Sequence, residues 1–340
     1  MKDKTTRRQM IVMAGAAAGA TALGVALSGP GSGRAFAQAT PGASPSASPV
    51  AIDGMKTVDT PVGETTVPMD PQRVVVMENR IDLEIATALQ LPVVGVGVYM
   101  PDFGSAESYV NPWIPFTPEP EVTPFDTSEP DLEKIIQLKP DLLVSRIFYV
   151  DGTFGFDYDT MAKIAPIIPV DYTTTPDGYY DWRGELRWVA GILDRQALAE
   201  TPIATYEAAV VAVKARHEAA LGEKRIAVLR TTADGQIFVN DTSTFASVSR
   251  DLGAIWIDLP VNEDGFLSME QAQVLAEADG MLFWGSEDEW DAAMEQDVWK
   301  LLPVVQAGMV VRSTVMVNFG SVYAAGEVLR HLDELYTMMD

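Results

Sequence analysis

Asp131-Leu132-Glu133-Lys134-Ile135-Ile136-Gln137-Leu138-Lys139-Pro140-Asp141-Leu142-Leu143-Val144 reads as a capped helix that feeds a buried strand. Asp131 is a residue type that accepts hydrogen bonds from the open N–H groups of a helix start. Glu133 puts a carboxylate in the first turn, where the helix dipole is positive. Leu142-Leu143-Val144 is apolar without alternation, the pattern of a strand covered on both faces. Ser268-Met269-Glu270-Gln271, running through Leu275 to Asp279-Gly280-Met281-Leu282-Phe283, repeats the arrangement. With one extra residue in the second copy, Glu133 matches Glu270, Leu138 matches Leu275 and Asp141 matches Asp279. One helix-strand unit in each half predicts two related lobes.

Outward from these units the chain alternates short apolar runs with amphipathic stretches. Arg73 to Met77, Pro92 to Gly97, Asp141 to Ser145 and Ile167 to Val170 read as strands, with helices over Asp82 to Gln90 and Asp131 to Lys139. From Tyr180 to Leu221 the pattern is nearly unbroken helix, and Ala197 to Ala220 spans roughly 30 Å at helical rise. Strands resume over Arg225 to Arg230, Gln236 to Val239, Ala254 to Asp258, Gly280 to Trp284 and Met309 to Arg312. Helices are expected over Phe245 to Leu252, Ser268 to Ala276, Trp290 to Leu301 and Ser321 to Met338. The reading is α/β: two Rossmann-like lobes with mostly parallel sheets, bridged by one long helix, with a ligand cleft between them. The expected divisions are an N-terminal lobe at 61–193, a connecting helix at 194–222 and a C-terminal lobe at 223–340.

The front end stands apart. Thr6-Arg7-Arg8-Gln9-Met10 opens a twin-arginine start, an apolar run follows from Met10 to Leu27, and small-residue cleavage sites lie at Ala35-Phe36-Ala37 and Ala37-Gln38-Ala39. Residues 1–39 are expected to be an export signal, cleaved or kept as an anchor, and 40–60 a Pro/Ser/Ala-rich tether. The signal holds five of the 24 basic residues and one of the 48 acidic ones, so the remainder carries a formal charge of −28. Such a chain is a poor partner for nucleic acid or an anionic membrane, whose recognition rests on basic surface. Cysteine is absent, which removes disulfides, thiolate metal sites, thiol nucleophiles and lipid attachment through cysteine. The expectation is an exported, extracytoplasmic monomer.

Enzyme motifs are lacking: there is no HExxH, GxSxG or phosphate loop, and Gly95-Val96-Gly97 lacks the third glycine of a dinucleotide fingerprint. Glu287-Asp288-Glu289 reads as a solvated acidic turn. His217 and His331 are the only histidines, lie far apart in helical patterns, and do not make a multi-histidine metal site. No catalytic residue, bound metal or covalent cofactor is expected.

Pro68-Met69-Asp70-Pro71-Gln72-Arg73-Val74-Val75-Val76, Leu91-Pro92-Val93-Val94-Gly95-Val96-Gly97 and the Leu138-Lys139-Pro140-Asp141-Leu142 segment with its upstream Glu133 resemble the first lobe of ferric-siderophore and cobalamin binding proteins. These are the substrate-binding subunits of ABC importers. Trp299-Leu301-Pro303-Val304 through Ala307-Gly308 and the last helix resemble the same family's C-terminal end. The resemblance implies a non-catalytic binder that holds a ferric siderophore between its lobes and docks onto permease arginines through one glutamate per lobe, here Glu133 and Glu270. Ligands of open α/β sheets sit at the carboxyl ends of strands. The candidates there are Arg80, Tyr99, Arg146 and Tyr149 in the first lobe, Trp182 and Arg183 at the following helix start, and Arg230, Phe245 and Trp284 in the second lobe. Asn79 and Asn318-Phe319 lie in similar positions. Arginine with aromatic rings suits a bulky, often anionic chelate. Cobalamin or haem suits the same resemblance, and an exported α/β enzyme with a carboxylate-based cleft site is the reading from another class.

Overall fold

A computed structural model describes residues 54–99, 109–119, 121–127, 130–147, 158–232 and 234–340. The expected signal, the tether up to residue 53 and Tyr149 lie outside the described residues. The chain enters through a hairpin, β1 (Met55–Thr60) against β2 (Gly63–Pro68). Its first strand falls where the tether was expected. Alternation of polar and β-branched residues is weak evidence in a stretch this polar, so composition hid it. The hairpin is held down by Thr65, whose hydroxyl meets the Tyr158 phenol at 2.6 Å, and by Lys56, which donates to Gly191 O at 3.0 Å and pairs with Asp194 at 2.9 Å.

The first lobe's sheet contains β3 (Val74–Val76), β4 (Val93–Val98), β5 (Thr123–Asp126), β6 (Leu142–Arg146) and β7 (Ile167–Val170). Their order is β5-β4-β3-β6-β7, every neighbouring pair parallel. Val74, Val75 and Val76 are fully buried. A central parallel strand is covered on both faces, and full burial of each such side chain contributes roughly 1.5–3 kcal/mol. The chain leaves β3 toward β4 and returns to pair β6 on its other side. The crevice at such a reversal, beyond the strands' carboxyl ends, is where open α/β sheets take ligands.

In the second lobe β8 (Arg225–Thr231) is central. Parallel β12 (Gly280–Phe283) and β13 (Val310–Arg312) lie on one side, and β10 (Ile255–Trp256) runs parallel to its start. Antiparallel β9 (Gln236–Phe238) pairs with its end, and β11 (Phe266–Ser268) with β9. The fold is therefore the expected pair of α/β lobes, the first sheet wholly parallel and the second mixed. The 21-residue helix Gln196–Arg216 bridges them. Its buried face, Ala199, Ile203, Tyr206, Val210 and Val213, recurs at three- and four-residue spacing.

The internal repeat has a structural cause. Arg73 N donates to Asp141 Oδ1 and Asp141 N returns a bond to Arg73 O, both 2.9 Å. Arg225 N donates to Asp279 Oδ2 at 2.9 Å and Asp279 N to Arg225 O at 2.8 Å. Each aspartate thus clamps the start of its lobe's central strand to the strand that follows the repeated unit. The units differ in their helices. Asp131 caps Leu132–Gln137 through Lys134 N at 3.0 Å, whereas Met269–Glu277 is a 3₁₀ segment and Ser268 makes no capping bond to its backbone. Two further expectations change. The helix expected over Trp290 to Leu301 is two, Glu287–Glu295 and Asp297–Lys300, broken at Gln296. His217 lies at the break between Gln196–Arg216 and Glu218–Glu223, where its ring contacts Asp333 at 2.8 Å and Asp340 at 2.5 Å.

Candidate ligand-binding site

At the end of β3 the chain turns through Met77, Glu78 and Asn79 into the helix Ile81–Ala88. Asn79 organises the turn. Its Oδ1 accepts from Tyr99 N at 3.0 Å, its Nδ2 donates to Tyr109 O at 2.9 Å, and its carbonyl accepts from Asn111 Nδ2 at 2.8 Å. Gly97 lets β4 come this close, because a Cβ there would stand 2.0 Å from Met77 O. The result brings Arg80 and Tyr99 together: the guanidinium carbon lies 3.9 Å from the ring centroid. Arg80 also pairs with buried Glu78 at 2.8 Å. Tyr99 is half-buried. A depression of about 340 Å³ borders this turn, lined by Tyr109, Asn111, Ile114 and Phe116 among others, and draws no residue from the second lobe.

Arg146, at the end of β6, is 2 % exposed and enclosed. Its guanidinium pairs with Glu185 at 3.3 Å and donates to the Tyr180 phenol at 2.8 Å, and that phenol donates to Glu185 at 2.9 Å. The Arg146 backbone N–H faces Asp82 at 3.3 Å. Burial pushes Glu185 up to about 7 against the pull of Arg146. Burial, with the charge of Glu78 added, holds Asp82 well above the usual carboxylate range. The same network keeps Tyr172 and Tyr180 as neutral phenols, Tyr172 raised by burial to about 12. Tyr172 and Tyr180 stack at 5.2 Å, and Phe319 of the second lobe meets both edge-on at 5.8 and 5.9 Å. Tyr172 donates across the lobes to Thr242 O at 2.5 Å. Tyr172 was not anticipated, although it stands two residues beyond β7, where the strand-end rule would have found it.

On the second lobe Arg230, the penultimate residue of β8, pairs with Glu289, with its guanidinium 5.6 Å from the Trp284 ring. Glu289 also closes a capping box with Ser286. The acidic turn is therefore built in: Glu289 is buried and Glu287 pairs with Arg312. Trp284 and Phe245 stack at 5.5 Å, both buried. Trp182 is fully buried against Tyr206 at 5.2 Å, beneath Arg183, which pairs with Asp251 at 2.6 Å and Glu207 at 3.5 Å. Of the anticipated residues, Arg80 and Tyr99 form one cluster, Arg230, Phe245 and Trp284 a second, and Trp182 and Arg183 a third. Arg146 belongs to the closed network, and Tyr149 lies outside the described residues. Each of the described arginines named here has an acidic partner. Glu133 and Glu270 are both exposed, one on each lobe. Among the described residues no cluster of three His, Cys, Asp or Glu side chains is placed to hold a metal ion.

The profile of the family described as periplasmic binding protein matches residues 83–313. The iron(3+)-hydroxamate-binding protein FhuD of Bacillus subtilis is 28 % identical over 189 residues, 53 % of this chain and 57 % of that relative. FhuD of Escherichia coli is 24 % identical over 279 residues, 78 % of this chain and 87 % of that protein. Among solved structures, the Fe3+–Desferal-bound siderophore binding protein FhuD from Vibrio cholerae has the same fold, with a TM-score of 0.62, 23 % identity, and 78 % of this chain and 97 % of that one covered.

Proposed function

Because the chain belongs to the periplasmic binding protein family, we propose that it is exported, captures a ferric siderophore between its lobes, and delivers it to the permease of an ABC importer. The observation that carries the reading is the set of half-buried rings at the strand ends, Tyr99 beneath Arg80 and Tyr172 with Phe319, backed by buried Tyr180 and Trp284. Aromatic bodies with polar tips suit a bulky chelate that is partly apolar. The ligand class follows from charge. Glu78, Asp251 and Glu289 already pair with Arg80, Arg183 and Arg230, and Arg146 is enclosed. Three hydroxamates cancel the charge of Fe3+, whereas three catecholates leave a large negative charge that this lining does not balance. The chelate is therefore a neutral ferric hydroxamate, in keeping with the names of the two FhuD relatives. This narrows a choice among catecholate, hydroxamate and carboxylate chelates that the strand-end arginines and rings leave open.

Titration of residues 40–340 with Fe3+–Desferal, a ferric tris-catecholate, cobalamin and haem, read by tryptophan fluorescence, tests the reading. Saturation by the hydroxamate alone is expected. Preference for the catecholate overturns the charge argument, and silence toward all four overturns the siderophore. Delivery uses the exposed Glu133 and Glu270, whose charge steers docking more than it adds affinity. Glu133→Ala with Glu270→Ala is expected to abolish uptake and leave ligand affinity within about a few-fold. A collapse of affinity would make them fold or pocket residues.

A further inference from the structure

Glu84 is fully buried in the helix Ile81–Ala88 of the first lobe, one turn past Arg80. Its Oε2 accepts hydrogen bonds from Ser321 N at 2.9 Å, Tyr323 N at 3.0 Å and Ala324 N at 3.0 Å. These donors form the open N-terminus of the 18-residue helix Val322–Met339 in the second lobe. A helix start leaves its first N–H groups without internal partners and carries the positive end of the dipole. The usual remedy is the side chain immediately before the helix. Ser321 occupies that position, yet its hydroxyl makes no capping bond and is buried without a partner. The cap comes instead from the other lobe, 237 positions earlier in the chain. Gly320 makes room for it, since a Cβ there would stand 2.0 Å from Ala324 Cβ and 2.9 Å from Glu84 Oε1.

Both ends of this link adjoin the ligand surface. Glu84 N donates to Arg80 O at 2.9 Å, so the two share one turn. On the far side Phe319 immediately precedes Gly320 and meets Tyr172 and Tyr180. That loop is fixed to the helix Thr244–Leu252 by Thr244 N to Asn318 O at 2.9 Å and Gly320 N to Thr244 Oγ1 at 3.1 Å. We propose that Glu84 is a positioning residue: by capping the second lobe's last helix from the first lobe, it fixes the spacing between Arg80 and Phe319 across the cleft. The consequence for affinity rests on the siderophore reading; the consequence for lobe spacing does not.

The test separates a link between lobes from a helix cap. Glu84→Ala with Ser321→Asp removes the link and supplies a cap from within the second lobe. The chain has no cysteine, so Gln137→Cys with Gln306→Cys, one exposed position on each lobe, accepts a pair of spin labels. The linked parent is expected to give a narrow distance distribution. Glu84→Ala/Ser321→Asp is expected to regain thermal stability over Glu84→Ala, to show a broadened distribution, and to bind Fe3+–Desferal roughly tenfold more weakly through lost preorganisation. A parent-like distribution with parent-like affinity overturns the proposal and leaves Glu84 a helix cap only. Glu84→Gln keeps an oxygen able to accept the same bonds and is expected to retain the narrow distribution. Broadening in that variant would show that the N–H acceptor is not what holds the lobes. If the parent binds no ferric siderophore, the functional reading falls and the distance distributions alone decide the role of Glu84.

Discussion

The strands β3 and β6 lie side by side and each leads into an arginine, yet the two arginines have opposite surroundings. Arg146 is closed in by Glu185 and Tyr180, 39 and 34 residues further along, with Asp82 on its backbone N–H. Arg80 takes its partner Glu78 from its own turn and lies over a half-buried ring. Both arginines are buried, Arg80 at 5 % exposed and Arg146 at 2 %, and they differ in whether the chain folds back from far along the sequence to supply the partner. After β6 the chain does so, through the helix Trp182–Ile192 that carries Glu185. After β3 the partner Glu78 comes from the same turn.

The largest effect should come from the closed side. Arg146→Ala leaves Glu185 buried without its cation, and breaking a buried pair by removing one partner costs about 3–5 kcal/mol. Urea unfolding measures this, and Arg146→Met with Glu185→Leu should be milder than the single change. A loss of less than about 1 kcal/mol would erase the contrast with Arg80. Next in size is a pH effect from the same region. Burial raises Glu185 from its ordinary 4.5 to about 7, and it does the same to Glu84 even though three N–H groups oppose it. The folded state then keeps protons that the unfolded chain releases between these values. Stability therefore falls as pH rises from about 4.5 to about 7 and levels above it, by something on the order of 1–3 kcal/mol. Urea midpoints at pH 5 and pH 8 should show the fall, and Glu185→Gln should shrink it. A rise with pH would mean that pairing with Arg146 outweighs burial.

A smaller effect is expected at Arg80. Arg80→Lys keeps a cation beside Glu78 and loses the planar group over Tyr99. Stability should change by less than about 1 kcal/mol, while Fe3+–Desferal affinity falls roughly tenfold. Unchanged affinity would make Arg80 as structural as Arg146.

The architecture was readable because its signals are local. Val74-Val75-Val76 and Leu142-Leu143-Val144 announce strands buried on both faces, and Asp141 with Asp279 repeats a clamp that a parallel lobe needs at the same point. The strand-end rule named Arg80 and Tyr99, which the fold brings into contact. What the residues could not reveal were long-range partners: Glu185 over Arg146, Glu289 over Arg230, Thr242 against Tyr172 and Glu84 under Ser321. A carboxylate in an acidic chain carries no mark of which cation or helix end it will meet, so the pairing of these arginines was not legible. The 3₁₀ form of Met269–Glu277 was hidden too, since its composition suits an α-helix.

The smallest effect probes whether the Arg80 site depends on the ring or the hydroxyl of Tyr99. Tyr99 is placed through its backbone by Asn79, so a change of side chain leaves its position intact. Tyr99→Phe keeps the ring beneath Arg80 and should change stability by less than about 0.5 kcal/mol. Tyr99→Leu removes the cation–π contact, worth about 0.5–1 kcal/mol at a partly exposed site. A phenol can donate to the oxygens of a hydroxamate, so Tyr99→Phe should still weaken Fe3+–Desferal binding by about a few-fold, one modest hydrogen bond. If Phe binds as tightly as Tyr and only Leu binds weakly, then Tyr99 serves Arg80 much as Tyr180 serves Arg146. The contrast between the two strand ends would then reduce to the exposure of the rings, half-buried Tyr99 against buried Tyr180.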